Sequence, residues 1–149
     1  MTQHLLDLGH RQILYFSGPP TASSSAEHMT GFRRALMSAG LEPSDASVFL
    51  AGFDIADGEQ AMLRALSEKT PFTAIVCVND AVAIGALQVL RKHKYSVPAD
   101  VSVVGYGDGP MAAHASIPLT TVRQPRLDLG RAAFQLWHQK KKRGNLPTQ

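Results

Sequence analysis

Two stretches of this chain, TAIVCV at 73–78 and VSVVGY at 101–106, are apolar at almost every position. A strand with one wet face alternates apolar and polar residues, so an unbroken apolar run marks a strand covered on both sides, as parallel strands are under helices. Parallel neighbours cannot be joined by a tight hairpin; they need crossover connections long enough to hold a helix. That requirement fixes much of what the rest of the chain has to do.

The sequence supplies the connections. Residues 2–8 read as the end of a helix closed by Gly9, and QILYFSG at 12–18 as a strand that stops at Gly18, Pro19 and Pro20. Ser24, Ser25, Ala26 and Glu27 have the spacing of a capping box, which predicts a helix with Met29, Phe32, Leu36 and Ala39 on its inner face and a stop at Gly40. A strand is expected over 47–52, then a helix capped by Asp54 or Asp57 with Met62, Leu63 and Leu66 inward. Asp80 is expected to cap a helix that buries Ala83, Ala86, Leu87 and Leu90, and the turn from Val97 to Asp100 leads into the strand at 101–106. An irregular segment, GDGPMAAHASIP, then precedes a short extended piece, LTTVRQ, and an amphipathic helix through Leu129, Ala132, Ala133, Leu136 and Trp137. The pattern is an α/β fold: a doubly wound parallel sheet with helices on both faces.

Composition narrows the function classes. The hydrophobic fraction of 44% and charged fraction of 18% are those of an ordinary globular chain of 149 residues. No apolar run is long enough to span a bilayer and the N-terminus lacks the pattern of a signal peptide, so a cytoplasmic protein with no membrane partner is expected. The only cysteine, Cys77, sits in an apolar strand and reads as a small buried hydrophobe. The net charge of +3 depends on Lys140, Lys141, Lys142 and Arg143, a solvated helix end; without them the balance turns slightly negative.

Ligands of open parallel sheets bind beyond the carboxyl ends of the strands. Here that rim collects Ser17, Gly18 and the serines 23–25; Gly52, Phe53 and Asp54; Asn79 and Asp80; and Gly105 to Asp108. Amide, hydroxyl and carboxylate groups beside an aromatic face suit a polyhydroxylated ligand. Helix capping is the competing role for Ser24, Asp54 and Asp80. For Asn79 both roles stay open, because Asp80 can serve as the cap and leave the amide pointing into the cleft. Gly105, Gly107 and Gly109 imitate a dinucleotide fingerprint but follow the fourth strand rather than the first, and a turn needing small residues accounts for them. The six histidines show no metal-protease spacing, and neither a paired-cysteine motif nor a nucleophile elbow is present; no catalytic residue, metal or cofactor is expected.

Five phrases carry a family likeness: LLDLGHRQI from Leu5, the serine-rich turn leading to Gly31 and Phe32, TAIVCVNDAVAIGA from Thr73, VPADVSVVGY from Val97 and PLTTVRQP from Pro118. In order and in register, they resemble the effector-binding core of LacI/GalR-type transcription regulators. The resemblance implies a periplasmic-binding-protein-like core of two lobes, with residues 1–124 forming the C-terminal lobe and 125–149 a return segment with an amphipathic helix and a basic tail. It implies a small-molecule effector, carbohydrate or nucleoside-like, held between lobes of a homodimer. DNA would be reached only through an N-terminal helix-turn-helix that this sequence does not encode. Matching positions make Asn79 the ligand amide, Phe53 the aromatic against the sugar, Ser24 a polar contact and Gln124 a hinge-side residue. At two positions the chain departs: the carboxylate usual after Gly-Tyr is Gly107, with Asp108 behind it, and the arginine usual three residues before Gly31 is His28. Those departures speak against a common hexose. A periplasmic sugar receptor would share this lobe and a stand-alone α/β enzyme its architecture, but the Gly-His-Arg and VSVVGY phrases favour the regulator.

Overall fold

The computed structural model describes residues 1–44 and 47–142. In chain order the elements are α1 (Thr2–Asp7), β1 (Ile13–Ser17), α2 (Ser23–Ser38), β2 (Val48–Leu50), α3 (Ile55–Ser67), β3 (Ala74–Cys77), α4 (Asp80–Lys92), β4 (Ser102–Gly107), α5 (Pro110–Ala113), β5 (Thr120–Arg123) and α6 (Arg126–Lys142). All strand pairings are parallel, in the order β2-β1-β3-β4-β5. Arg143, the last of the basic run, lies outside the described residues.

Both faces of the sheet are covered, and strand periodicity decides which residue goes where. Leu14, Phe16, Ile75, Cys77 and Val103 point to one face and pack with α3 and α4. Their neighbours Ile13, Tyr15, Ala74, Val76 and Val104 point to the other and pack with α1 and α2. Two hydrophobic layers therefore share one sheet, which is why the central strands carry no polar alternation.

The Gly-His-Arg phrase has a structural account. Gly9 takes φ +92, a conformation that suits glycine, and turns the chain out of α1. Arg11 donates to the carbonyls of Leu6 (3.0 Å) and His10 (2.9 Å), satisfying acceptors at that helix end. The His10 ring lies 2.8 Å from Thr73 Oγ1 and 3.1 Å from Ser102 Oγ, tying the starts of β1, β3 and β4 together.

Several local expectations need correction. The box at Ser24 does not form: α2 starts at Ser23 after Ala22, with no side-chain cap, so Ser24 falls within the first turn and is exposed while Ser25 is buried. Ala39 lies just past the helix end and is exposed, the inner face being Phe32 and Leu36. In α3, Asp54 is the cap and its N–H donates to Asp57 Oδ2 at 2.9 Å; Met62 is buried as expected, but Leu63 is exposed and Ala61 and Ala65 are buried instead. The reason is the close crossing of α3 on α4, where small residues face inward. The cap of α4 is Asn79, whose Oδ1 accepts from the Val82 N–H at 2.8 Å; Asp80 is the first helical residue. The stripe on α6 exists but no described residue covers it: the helix has no buried residue, and Leu127, Phe134 and Leu136 are each more than half exposed. None of the described helices is long and apolar enough to cross a membrane.

Cys77 is buried, and burial, with the nearby Asp80 charge adding to it, pushes its thiol up from the ordinary value. The thiolate is the reactive form. We therefore expect no reaction of the native chain with a thiol-specific chromogenic reagent at neutral pH and one full equivalent in denaturant; fast labelling of the folded chain would contradict the burial.

Candidate functional site

The carboxyl ends of the strands meet at one rim, and towards one end of it lies the end of β1, flanked by β2 and β3. Phe53, just after β2, folds back over it: a Cβ placed on Gly18 would come within 2.6 Å of the Phe53 ring and 2.5 Å of Ser25 Oγ. Only glycine lets the ring settle there. Across the same strand end, Asn79 Nδ2 donates to the Phe53 carbonyl at 2.8 Å, so the cap of α4 also pins the loop after β2. Of the two roles weighed for Asn79, the structure shows the capping one. Its amide has two N–H groups and two acceptor sites, and these bonds use one of each. Asn79 itself is half-buried, and Phe53 is 41% exposed.

The other half of the rim is built around Asp80. This carboxylate is 7% exposed; it accepts from Thr121 Oγ1 at 2.5 Å and from the Gly109 N–H at 2.9 Å, joining the ends of β3, β4 and β5. A Cβ on Gly105 would stand 2.6 Å from Asp80 Oδ1, and one on Gly107 3.1 Å from Oδ2. The glycines that imitate a nucleotide fingerprint are therefore spaced for a buried carboxylate. Gly107 also turns at φ +133 and Asp108 at +53.

Asp108 does not stand free. Its carboxylate pairs with Arg123 Nε, and Arg126 Nη2 donates to the carbonyls of Gly107 (2.9 Å) and Asp108 (2.8 Å). The guanidinium groups of β5 and α6 thus hold the turn after β4 to the segment leaving the sheet. Gln124 lies at this junction, half-buried, with its N–H 3.4 Å from the Gly107 carbonyl.

Ser24 and His28 lie apart from these groups. Ser24 is exposed on the first turn of α2. His28 is half-buried and packs edge-on against Tyr106, ring centroids 4.7 Å apart, with its Nδ1 buried and without a hydrogen-bond partner among the described residues. The structure therefore brings Phe53 and Asn79 together at one end of the rim, and Asp108 and Gln124 at the other. Sequence reasoning missed Asp80 as the tie of the second half, the two arginines that hold it, and Ser25 under the Phe53 ring. The glycine-rich stretch at the end of β4, beside the Asn-Asp end of β3, is the one signal that pointed towards Asp80.

Chemically, the rim offers an amide edge, an aromatic face, hydroxyls and guanidinium groups, which can hold a polar ligand. The sequence matches the periplasmic binding protein-like domain over residues 2–149. The HTH-type transcriptional regulator CelR of Thermobifida fusca is 37% identical over 135 residues, 91% of this chain and 40% of that protein. The ribose operon repressor of Escherichia coli is 35% identical over 135 residues, 91% of this chain and 41% of its own length. Among solved structures, a CelR–cellobiose complex superposes with a TM-score of 0.90 at 36% identity, covering 93% of this chain and 42% of that one. The Lac repressor bound to ONPG gives 0.89 at 28% identity, over 98% and 44%. The chain spans about two fifths of the length of these regulators. It belongs to the periplasmic binding protein-like domain family, matching the lobe-sized part of that domain found in LacI-family regulators.

Proposed function

We propose that this chain is one lobe of the effector-binding domain of a LacI-type transcription regulator and forms half of a cleft for a small metabolite, sugar- or nucleoside-like. One observation carries this reading: the half-used Asn79 amide holds the backbone of Phe53, a residue 41% exposed, at one end of the rim. A hydrogen-bonding edge next to an apolar face suits a ligand whose own faces differ in the same way. Ser24, His28, Asp108 and Gln124 are the further contacts proposed, with Asp108 shaping the turn after β4 through its arginine partner. CelR and the Lac repressor, solved with cellobiose and with ONPG, support the sugar class.

Residues 1–124 are the lobe. The return segment 125–149 carries α6, whose uncovered stripe packs on a second lobe in a cytoplasmic homodimeric regulator. DNA contact belongs to a helix-turn-helix elsewhere in such a regulator, and the lobe binds its ligand without transforming it.

One lobe supplies about half the contacts and none of the enclosure that covers 70 to 90% of a bound ligand. The chain alone should therefore bind a panel of cellobiose, ribose and purine nucleosides with dissociation constants of about 1 mM or weaker. At saturating ligand, NMR shifts should centre on Phe53 and Asn79 and vanish in Asn79→Ala. Micromolar affinity would show a complete cleft and sink the half-site reading; shifts confined to another face would sink the assignment of the rim.

A further inference from the structure

At the end of the lobe opposite the rim, where α3 and α4 finish, two hollows of about 380 and 460 Å³ open beside the chain that leaves these helices. Tyr95, 38% exposed, is the wall they share. We propose that this face docks an extended acidic segment of a partner protein, which crosses Tyr95 and places one carboxylate in each hollow.

The charges carry the argument. Lys69 lines the first hollow and Arg91 the second, both exposed, and no aspartate or glutamate lines either one. Among the described residues neither cation is in an ion pair, nor is the nearby Lys94. The neighbouring acids are already engaged: Glu68 with Arg64 at 3.5 Å, Glu59 with Lys92 at 3.7 Å, and Asp100 accepting from the Ser96 N–H at 2.7 Å. A helix C-terminus attracts cations through its dipole, which accounts for positive residues at these two ends. It does not account for their backbone: Lys69 and Lys94 stand at φ +53 and +65, where glycine is the residue that usually closes a helix. Lysine at both sites leaves a positive face that nothing on the lobe neutralises among the described residues.

The shape selects a chain rather than a small anion. A small anion fills one hollow and leaves the other cation unmatched, whereas a chain that crosses Tyr95 reaches both. Leu66 and Phe72 in the first hollow, and Leu87, Val97 and Ile117 in the second, offer apolar wall to the methylene stem of a glutamate whose carboxylate meets the cation. Phe72 braces Tyr95, ring centroids 6.1 Å apart. Nucleic acid asks for a basic groove that tracks its backbone, and two hollows with one cation each do not form one. Helix α4 has 13 residues and starts at the rim, so this face lies about 20 Å away from it and shares none of its residues.

The test is an NMR titration of the full chain with three probes: a capped Glu-Glu-Ala-Glu-Glu peptide, the same peptide with glutamine for glutamate, and oligothymidylate. The acidic peptide should shift the amides of Lys69, Phe72, Arg91 and Tyr95 and leave those of Phe53 and Asn79 in place. Raising the salt from about 0.05 to 0.5 M should remove most of the effect, because exposed charges are screened. Lys69→Gln combined with Arg91→Gln should weaken the peptide about fivefold or more, the share of two exposed ion pairs. Lys69→Arg combined with Arg91→Lys keeps both charges and should keep the affinity. Four results overturn the proposal: a glutamine peptide that binds as well as the acidic one, a tighter oligothymidylate complex through the same residues, wild-type affinity in the double glutamine variant, or no shift at about 10 mM acidic peptide.

Discussion

Gly85→Ala should leave the chain less stable by about 3 kcal/mol or more, a large share of the 5 to 15 kcal/mol typical of a domain. The cause is the crossing of α3 and α4. A Cβ on Gly85 would stand 2.0 Å from the Ile55 carbonyl oxygen and 2.8 Å from the Glu59 nitrogen; a Cβ on Gly58, from the opposite helix, would stand 2.1 Å from the Val82 carbonyl oxygen. The obstacles are backbone atoms, so no rotamer change relieves them and the helices must separate. That separation loosens the layer containing Ala61, Ala65, Ala83 and Ala86, all essentially inaccessible to solvent. The sign of the effect is diagnostic. An exposed helical glycine gains up to about 1 kcal/mol on becoming alanine, because alanine has the better helix propensity. Gly31 in α2 provides that control, since a Cβ there meets nothing within 4 Å. Urea denaturation followed by circular dichroism should move the two midpoints in opposite directions. A Gly85→Ala midpoint at or above wild type would mean that the helices are not in backbone contact.

The same crossing shows what the sequence could and could not convey. Strands β1, β3 and β4 were legible because burial on both faces leaves a local mark, a run of apolar residues with no polar alternation. The face of α3 was not, because helical spacing marks large apolar residues, and Leu63 fits that spacing while lying 41% exposed. What packs at a close crossing is small, and the need for small residues is set by the partner helix. Helix starts failed by one residue for a related reason: serine, asparagine and aspartate all cap, and neighbours in sequence compete for the position. That single step put Ser24 inside the first turn of α2 and moved the cap of α4 from Asp80 to Asn79. Phe53 and Asn79 still meet at the rim despite the shift, through the bond from the capping amide to the Phe53 carbonyl. The Asp80 half was illegible, its partners lying 29 and 41 residues further along the chain.

That distance makes Asp80 the second place to test. Asp80→Ala should destabilise the chain by about 3 kcal/mol, because two donors in partly buried surroundings lose a charged acceptor at once and hydrogen bonds to charged groups contribute about 1.5 to 3 kcal/mol each. Asp80→Asn separates hydrogen bonding from charge. Its Oδ1 can still accept from the Gly109 N–H, and its amide can donate to Thr121 Oγ1 once that hydroxyl rotates to become the acceptor. The asparagine variant should therefore recover more than half of the loss. The effect should also be local. Hydrogen exchange at the Gly109 amide should accelerate in the alanine variant while Val76, in the middle of β3, keeps its protection, because the turn after β4 and the edge strand β5 open before the sheet does. The consequence reaches the rim through β5, which leads directly into Gln124, and through the turn that Arg123 and Arg126 hold at Asp108. With Asp80 gone those arginines grip a turn that is no longer attached to β3, so the Asp108–Gln124 end of the rim should lose its fixed geometry while the Phe53–Asn79 end keeps it. NMR line broadening confined to residues near Asp108 and Gln124 is the expected signature. An alanine variant with wild-type stability and a protected Gly109 amide would show that the strand ends are held together by something other than this carboxylate.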